Sequence, residues 1–234
     1  MSANAFQAGL FVILVTLLVK PVGAYLERVF ERKQTILDPV LLPIERLIHR
    51  LVGIDPTFEM DWRRYSLAFG MFGAVNMVLL YFAVRWQAQF PWFLPKIMTT
   101  PMTPDLAANT AVSFATTTTW QAYAGETTMS YFSQLLLAGQ NFMAGAAGLA
   151  VGVAFIRGYA RERTKGLGNF WSDLIRTVFW VLLPVSLVGS LFLIGQGVPM
   201  NFRPYTVAHT LEGATQMIAP GSRCGTRVHQ ESWN

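Results

Sequence analysis

Thr116, Thr117, Thr118 and Thr119 stand in an unbroken run, followed by Trp120 and Gln121. Each threonine carries a backbone carbonyl and a hydroxyl oxygen, the neutral oxygens that replace water around a dehydrated cation. Threonine runs also occur in ordinary loops, so the surroundings must decide between the two readings. Other chemistries have little material here. The single cysteine, Cys224, gives no disulfide framework and no multi-cysteine metal site. His49, His209 and His229 are scattered without ligand spacing, and carboxylates are few, which leaves a metal centre or hydrolytic triad unsupported.

The element that must position the run precedes it. Met102 to Phe114 is apolar and equipped to start a helix: Thr103 to cap, Pro104 for the first turn, Asp105 for the positive end of the dipole. About twelve residues at 1.5 Å each reach only about halfway through some 30 Å of hydrocarbon. The pattern predicts a re-entrant half-helix entering from outside, with its partially negative C-terminal end at the bilayer middle. Irregular backbone at that depth is tolerated only where it is buried in protein or lines a watery cavity. Full spans on both sides would complete the helix, pore loop, helix plan of potassium channels. Glu126 after the loop either raises the local cation concentration at the outer mouth or is a solvated surface acid.

Composition supports a bilayer. The 234 residues are 53% hydrophobic and 13% charged, against about 25% charged in soluble domains. Four stretches are long enough to span: Ala5 to Tyr25, Tyr65 to Trp86, Ser130 to Ile156 and Phe170 to Leu193. The first is read as a retained helix, because no positive charge precedes its apolar run and no small-residue cleavage site follows. Lys20 near the end of span one, and Arg28, Arg32, Lys33, Arg46, Arg50, Arg63 and Arg64 between spans one and two, sit at one side, and Arg157, Arg161, Arg163, Lys165 and Arg176 flank the link between spans three and four. Before the tail from Gly221, only Arg85, Lys96 and Arg203 fall on the other side. The positive-inside rule therefore places the N-terminus outside. The net charge of +5 is explained by these loops, and no nucleic-acid partner is expected.

The predicted fold class is an all-α polytopic membrane protein with four transmembrane helices, one re-entrant half-helix and a filter loop. Its expected divisions are an N-terminal span (1–26), a cytoplasmic loop (27–64), a helix, pore loop, helix module (65–157), a link and fourth span (158–195), an extracellular segment (196–220) and an aberrant tail (221–234). Within the first loop, Pro43 to Gly53 has apolar residues at helical spacing and reads as a short surface helix, either a docking face for a partner or an interfacial helix on lipid headgroups. Gln140 and Asn141 in span three suit a pore or interhelical hydrogen bonds. Ala144, Gly148 and Gly152 predict a close-packing face, Pro184 a kink, and Trp62, Trp86, Trp92 and Trp171 an aromatic belt.

The stretch Asn109 to Gln134, with Thr116-Thr-Thr-Thr-Trp-Gln-Ala-Tyr-Ala-Gly-Glu126 at its centre, closely resembles the first pore loop of the potassium-binding A subunit of Kdp-type bacterial potassium-pumping ATPases. Val52-Gly-Ile-Asp-Pro56, Glu59-Met-Asp-Trp62, Gln140-Asn-Phe142, Leu167-Gly-Asn169 and Asn201-Phe-Arg-Pro-Tyr205 extend the resemblance from residue 1 to about 220. Family members usually read Thr-Asn-Thr-Asn-Trp-Gln, so Thr117 and Thr119 replace amides. The resemblance implies four pore modules around one filter, preceded by an extra helix, of which this chain holds the extra helix, one module and the first helix of the next. It further implies potassium as the transported ion, bound at Thr116, Thr117, Thr118, Thr119, Trp120 and Gln121, in a multi-pass subunit of the bacterial inner membrane. That subunit hydrolyses no ATP and hands the ion to the P-type ATPase B subunit, with C and F subunits completing the complex. Rival readings are the pore module of a Trk- or Ktr-like potassium transporter, and a structural or assembly membrane protein. The Trp120-Gln-Ala-Tyr-Ala-Gly-Glu126 continuation favours the ATPase.

From Gly221 onward the sequence looks unrelated to the family's continuation. One permitted back-translation of Gly221 to Asn234, read one base later, gives a family-like Gly-Pro-Val-Ala-Ala-Gln-Glu-Ser-Ile-Lys-Ser-Leu-Gly-Thr. A single-base frameshift near Pro220 is therefore expected, with Cys224 and His229 as its by-products. Sequencing the locus tests it: an alternative frame that does not lead into a Gly-rich pore loop opposes the idea.

Overall fold

The computed structural model describes residues 3–89, 100–161, 166–197, 206–210, 213 and 215–218. Expectations resting on Trp92, Lys96, Arg163, Lys165, Asn201 to Tyr205 with Arg203, and the tail from Pro220 with Cys224 and His229 lie outside the described residues.

Helices dominate, and among the described residues four are long and apolar enough to cross a membrane. These are α1 (Ala3–Phe30), α3 (Trp62–Arg85), α6 (Tyr131–Ala160) and the run Phe170–Gly195. A continuous helix satisfies its own backbone, which is what a chain in hydrocarbon requires. Shorter helices stand between them: α2 (Asp38–Val52), α4 (Pro104–Ala115) and the single turn α5 (Gly125–Thr128). The helical architecture is joined by one element that periodicity did not foresee. Strands β1 (Thr206–His209) and β2 (Thr215–Ile218) pair antiparallel, with Thr206 opposite Ile218 and His209 opposite Thr215.

The fourth long helix is not uniform. It runs as α7 (Phe170–Arg176), a π-helical turn over Thr177–Leu182, and α8 (Leu183–Gly195). Pro184 is the local cause, since it has no amide to donate to the carbonyl of Trp180 four residues earlier. That carbonyl accepts instead from the Tyr25 hydroxyl of α1 at 2.6 Å. The irregularity expected at Pro184 thus takes the form of a π turn.

The chain divides into two compact units. In the unit of residues 1–65 and 149–184, Val29, Phe30, Leu41 and Trp180 form the core. Beside it, Arg157 donates to Asp173 at 2.7 Å, to the Leu167 carbonyl at 3.1 Å and to the Phe30 carbonyl at 2.8 Å. The Tyr65 hydroxyl donates to the Ala150 carbonyl at 2.9 Å and lies 3.1 Å from the same Asp173 carboxylate. Arg176 grips both oxygens of Glu45 at 2.9 Å and donates to the Val29 carbonyl. Gly168 is left-handed (φ 97°) and leaves no room for a methyl beside the Arg157 guanidinium, so glycine is required there.

The other unit, residues 66–148 and 185–234, is centred on Leu80, Val84, Met102, Ala107, Ala111, Phe114, Met129 and Leu137. Gln140 is buried in it. The close-packing face expected at Ala144, Gly148 and Gly152 is not used among the described residues: both glycines have open space where a methyl would stand. The buried alanines of α6 are Ala144, Ala146, Ala147, Ala150 and Ala154. Small-residue spacing says that close approach is possible, not which neighbour arrives.

Candidate ion-binding site

Helix α4 is held in place by Ala107, Thr110, Ala111 and Phe114, spaced as one helical face and all buried. Two alanines let the helix approach closely, and Phe114 packs in one cluster with Leu80 and Val84 of α3, Met129 at the end of α5 and Leu137 of α6. Thr110 is made compatible with burial by donating its hydroxyl to the Leu106 carbonyl at 2.8 Å.

The start of α4 follows the sequence expectation with one change. Thr103 occupies the cap position in an extended conformation (φ −72°, ψ 159°) and Pro104 follows, but the threonine hydroxyl caps no backbone amide. It engages the Asp105 carboxyl, which together with the Asp105 and Leu106 amides holds that acid below its usual carboxylate range. The negative charge at the positive end of the helix dipole is therefore kept down to low pH.

At the other end, the Thr116 amide and hydroxyl donate to the Val112 carbonyl at 3.0 and 2.9 Å, and the Thr119 amide donates to the Ser113 carbonyl at 3.1 Å. The Ser113 hydroxyl reaches forward to the Trp120 carbonyl at 2.9 Å, closing the loop back on its own helix. The Thr117 hydroxyl donates to the Thr116 carbonyl at 2.6 Å, and the hydroxyls of Thr116 and Thr118 stand 3.0 Å apart. Among the described residues, no hydrogen bond occupies the carbonyls of Thr117, Thr118 or Thr119. All six residues from Thr116 to Gln121 are exposed.

Thr117 and Thr119 lie in the left-handed region, with φ of 59° and 55°. For a β-branched residue this is an outlier, whereas asparagine enters the region readily. The two threonines that stand where the resemblance implies amides are thus the two whose backbone favours an amide residue. The loop keeps its curvature at the cost of local strain.

Two residues to which sequence reasoning gave no part in the site anchor both limbs of the loop. Gln87, only 2% exposed, donates to the Thr128 carbonyl at 2.8 Å and accepts from the Ser130 amide at 3.0 Å. Arg85, read from sequence only as a loop charge, donates to the Met102 carbonyl at 3.2 Å. The end of α3 therefore holds the entry to α4 and the exit from the loop. A glutamine just beyond an apolar span was the available signal, but its two partners lie 41 and 43 residues away. Glu126 lies within α5, on that exit limb.

The dispersed segments of the resemblance also meet. Asn169 caps α7 by accepting from the Trp171 and Ser172 amides, while its amide group donates to the Asp55 and Phe58 carbonyls at 3.1 and 3.3 Å. Met60 exchanges backbone hydrogen bonds with Leu167 and Gly168, and Glu59 pairs with Arg161 at 3.1 Å. The segments 52–56, 59–62 and 167–169 are one structural knot.

A short helix ending in a loop of open neutral oxygens has the chemistry to hold a cation without a fixed countercharge. Residues 9–228 match the family model described as potassium-transporting ATPase A subunit. The chain belongs to this family. Among relatives, it is 48% identical over 214 residues to a potassium-transporting ATPase potassium-binding subunit of Koribacter versatilis, covering 91% of this chain and 36% of the relative. Proteins of the same name from Methylorubrum extorquens and Granulibacter bethesdensis are 50% and 47% identical over 216 and 220 residues, covering 92% and 94% of this chain and 38% of each relative. The chain thus spans little more than a third of the length of these A-subunit relatives.

Proposed function

We propose that this chain provides the N-terminal part of the potassium-binding and translocating subunit of an ATP-driven, high-affinity potassium uptake complex. The observation that carries this reading is the run of open carbonyls at Thr117, Thr118 and Thr119 at the end of α4, in a chain of the A-subunit family. In this proposal α4 is a re-entrant half-helix and Thr116, Thr117, Thr118, Thr119, Trp120 and Gln121 form one side of the filter, where their oxygens replace the water of an incoming potassium ion. One such loop does not encircle an ion, so the fragment alone is inactive and further modules complete the ring. The subunit is non-catalytic and passes potassium to an ATPase B subunit, with C and F subunits in the same complex. It lies in the bacterial inner membrane with its N-terminus outside, and the divisions at residues 26, 64, 157, 195 and 220 separate span, cytoplasmic loop, pore module, second link with its span, extracellular segment and tail. The basic residues of the two links support this orientation.

The test grafts residues 1–220 onto the remainder of a full-length relative and expresses the chimera with its B and C partners in cells lacking other potassium uptake. Growth at micromolar potassium, lost when Thr116 to Thr119 are changed to alanine, is the expected result. Growth that survives the alanine loop removes the site assignment. A stably inserted chimera that never supports growth overturns the proposed function.

A further inference from the structure

Helix α2 turns its polar stripe inward. Leu41, Glu45 and His49 are its buried residues, and Glu45 is committed to Arg176. Its other acid, Asp38, accepts from Thr35 and from the Trp180 indole. Val40, Ile44, Leu47 and Leu51 recur at helical spacing on the opposite face and are all exposed, Leu51 by 75%. Arg46 and Arg50, one turn apart, border that apolar arc and are exposed as well. At 100° per residue the wheel has three sectors: acids and histidine against the protein, aliphatic side chains outward, arginines between.

We propose that α2 lies in the plane of the membrane interface, with Val40, Ile44, Leu47 and Leu51 in the acyl-chain boundary and Arg46 and Arg50 on anionic lipid phosphates. The inference rests on reading α1 and α3 as spans. Only residues 31–37 separate α2 from the end of α1, and α3 opens at Trp62 soon after Gly53 ends α2 in a left-handed turn (φ 72°). Both sequence neighbours of α2 therefore leave the hydrocarbon close to it. α1, which leads into α2 through residues 31–37, likewise exposes aliphatic side chains, Leu14, Leu17, Leu18 and Val22 among them. Charge complementarity selects the lipid: both acids of α2 are consumed internally and the arginines bordering the open arc are unopposed on that helix. An aliphatic arc flanked by arginine is the composition of in-plane interfacial helices.

The test uses the full chain in lipid nanodiscs, in a Cys224→Ser background, with Leu47→Cys or Leu51→Cys carrying a solvent-sensitive fluorophore. A nitroxide high on the lipid acyl chain should quench both positions, and aqueous iodide should quench neither. Quenching by iodide but not by lipid overturns the proposal. Protection from both also overturns it, since the arc would then face protein. A second measurement compares Arg46→Gln/Arg50→Gln in phosphatidylglycerol and phosphatidylcholine discs. About five-fold loss of interface occupancy per charge is expected in the anionic lipid alone. Equal behaviour in both lipids rejects the headgroup contact.

Discussion

Asparagine at positions 117 and 119 is expected to tighten potassium binding by the loop, with no effect from asparagine at 118. Thr117 and Thr119 hold φ of 59° and 55°, while Thr118 is outside the left-handed region. A left-handed backbone costs a side-chain-bearing residue roughly 1–2 kcal/mol, and asparagine recovers much of it by local hydrogen bonding. Taking about 1 kcal/mol at each site, Thr117→Asn and Thr119→Asn together favour the observed loop by about 2 kcal/mol, a factor of roughly 30. If strain keeps only a fraction of loops in this form, apparent affinity is reduced by that fraction. The half-saturating potassium concentration of the grafted transporter should therefore fall up to about 30-fold in the double variant and about five-fold in each single one. Thr118→Asn is the control for a mere chemical effect of the amide. Improvement at 118 equal to that at 117 and 119, or none at 117 and 119, would refute the strain argument.

Other consequences concern what holds each unit together internally. Gln87→Leu removes both hydrogen bonds to the loop's exit limb and strands a buried carbonyl and amide, at about 1–3 kcal/mol each; a lowered melting temperature in detergent and faster amide exchange near Thr128 are expected. Glu45→Gln leaves the Arg176 guanidinium buried without its countercharge and should cost about 3–5 kcal/mol, read as a loss of thermal stability larger than that for Lys33→Gln at the exposed Glu27 pair. Burial pushes the His49 imidazole below its usual value, opposed by Glu45 and reinforced by Arg32 and Arg176. The folded chain thus binds that proton less readily than the unfolded one, so its contribution is complete above about pH 6.5 and is lost as pH falls through and below that value. His49→Gln should flatten this acid-side loss; an unchanged slope assigns it elsewhere.

The spans were legible because a bilayer demands about twenty apolar residues in a row, and α4 because Thr103, Pro104 and Asp105 mark a helix start too close to its end to cross. The threonine run drew attention to neutral oxygens, but only its place after a short helix, between two long ones, set it apart from an ordinary loop. What was not legible depended on partners far along the chain. Nothing near Gln87 announces Thr128 and Ser130, and nothing near Arg157 announces Phe30, Leu167 and Asp173. The positive charges of Arg157 and Arg176 were visible as signals of sidedness, yet both are buried and spent on carboxylates. The outward arc of α2 was ambiguous for a similar reason: periodicity separates apolar from polar faces but does not say which one the protein keeps. The left-handed threonines could be inferred only where the family pattern places asparagine.

Pro184 gives one interaction a different meaning. Between helices in lipid, aliphatic contact gains little over contact with the acyl chains themselves, so cohesion depends on polar atoms that each helix cannot use alone. A regular helix has none to spare. By withholding one amide, Pro184 leaves the Trp180 carbonyl surplus, and Tyr25 collects it. An alanine at 184 would return the missing amide and compete for that acceptor, so the more regular helix would be the less adhesive one.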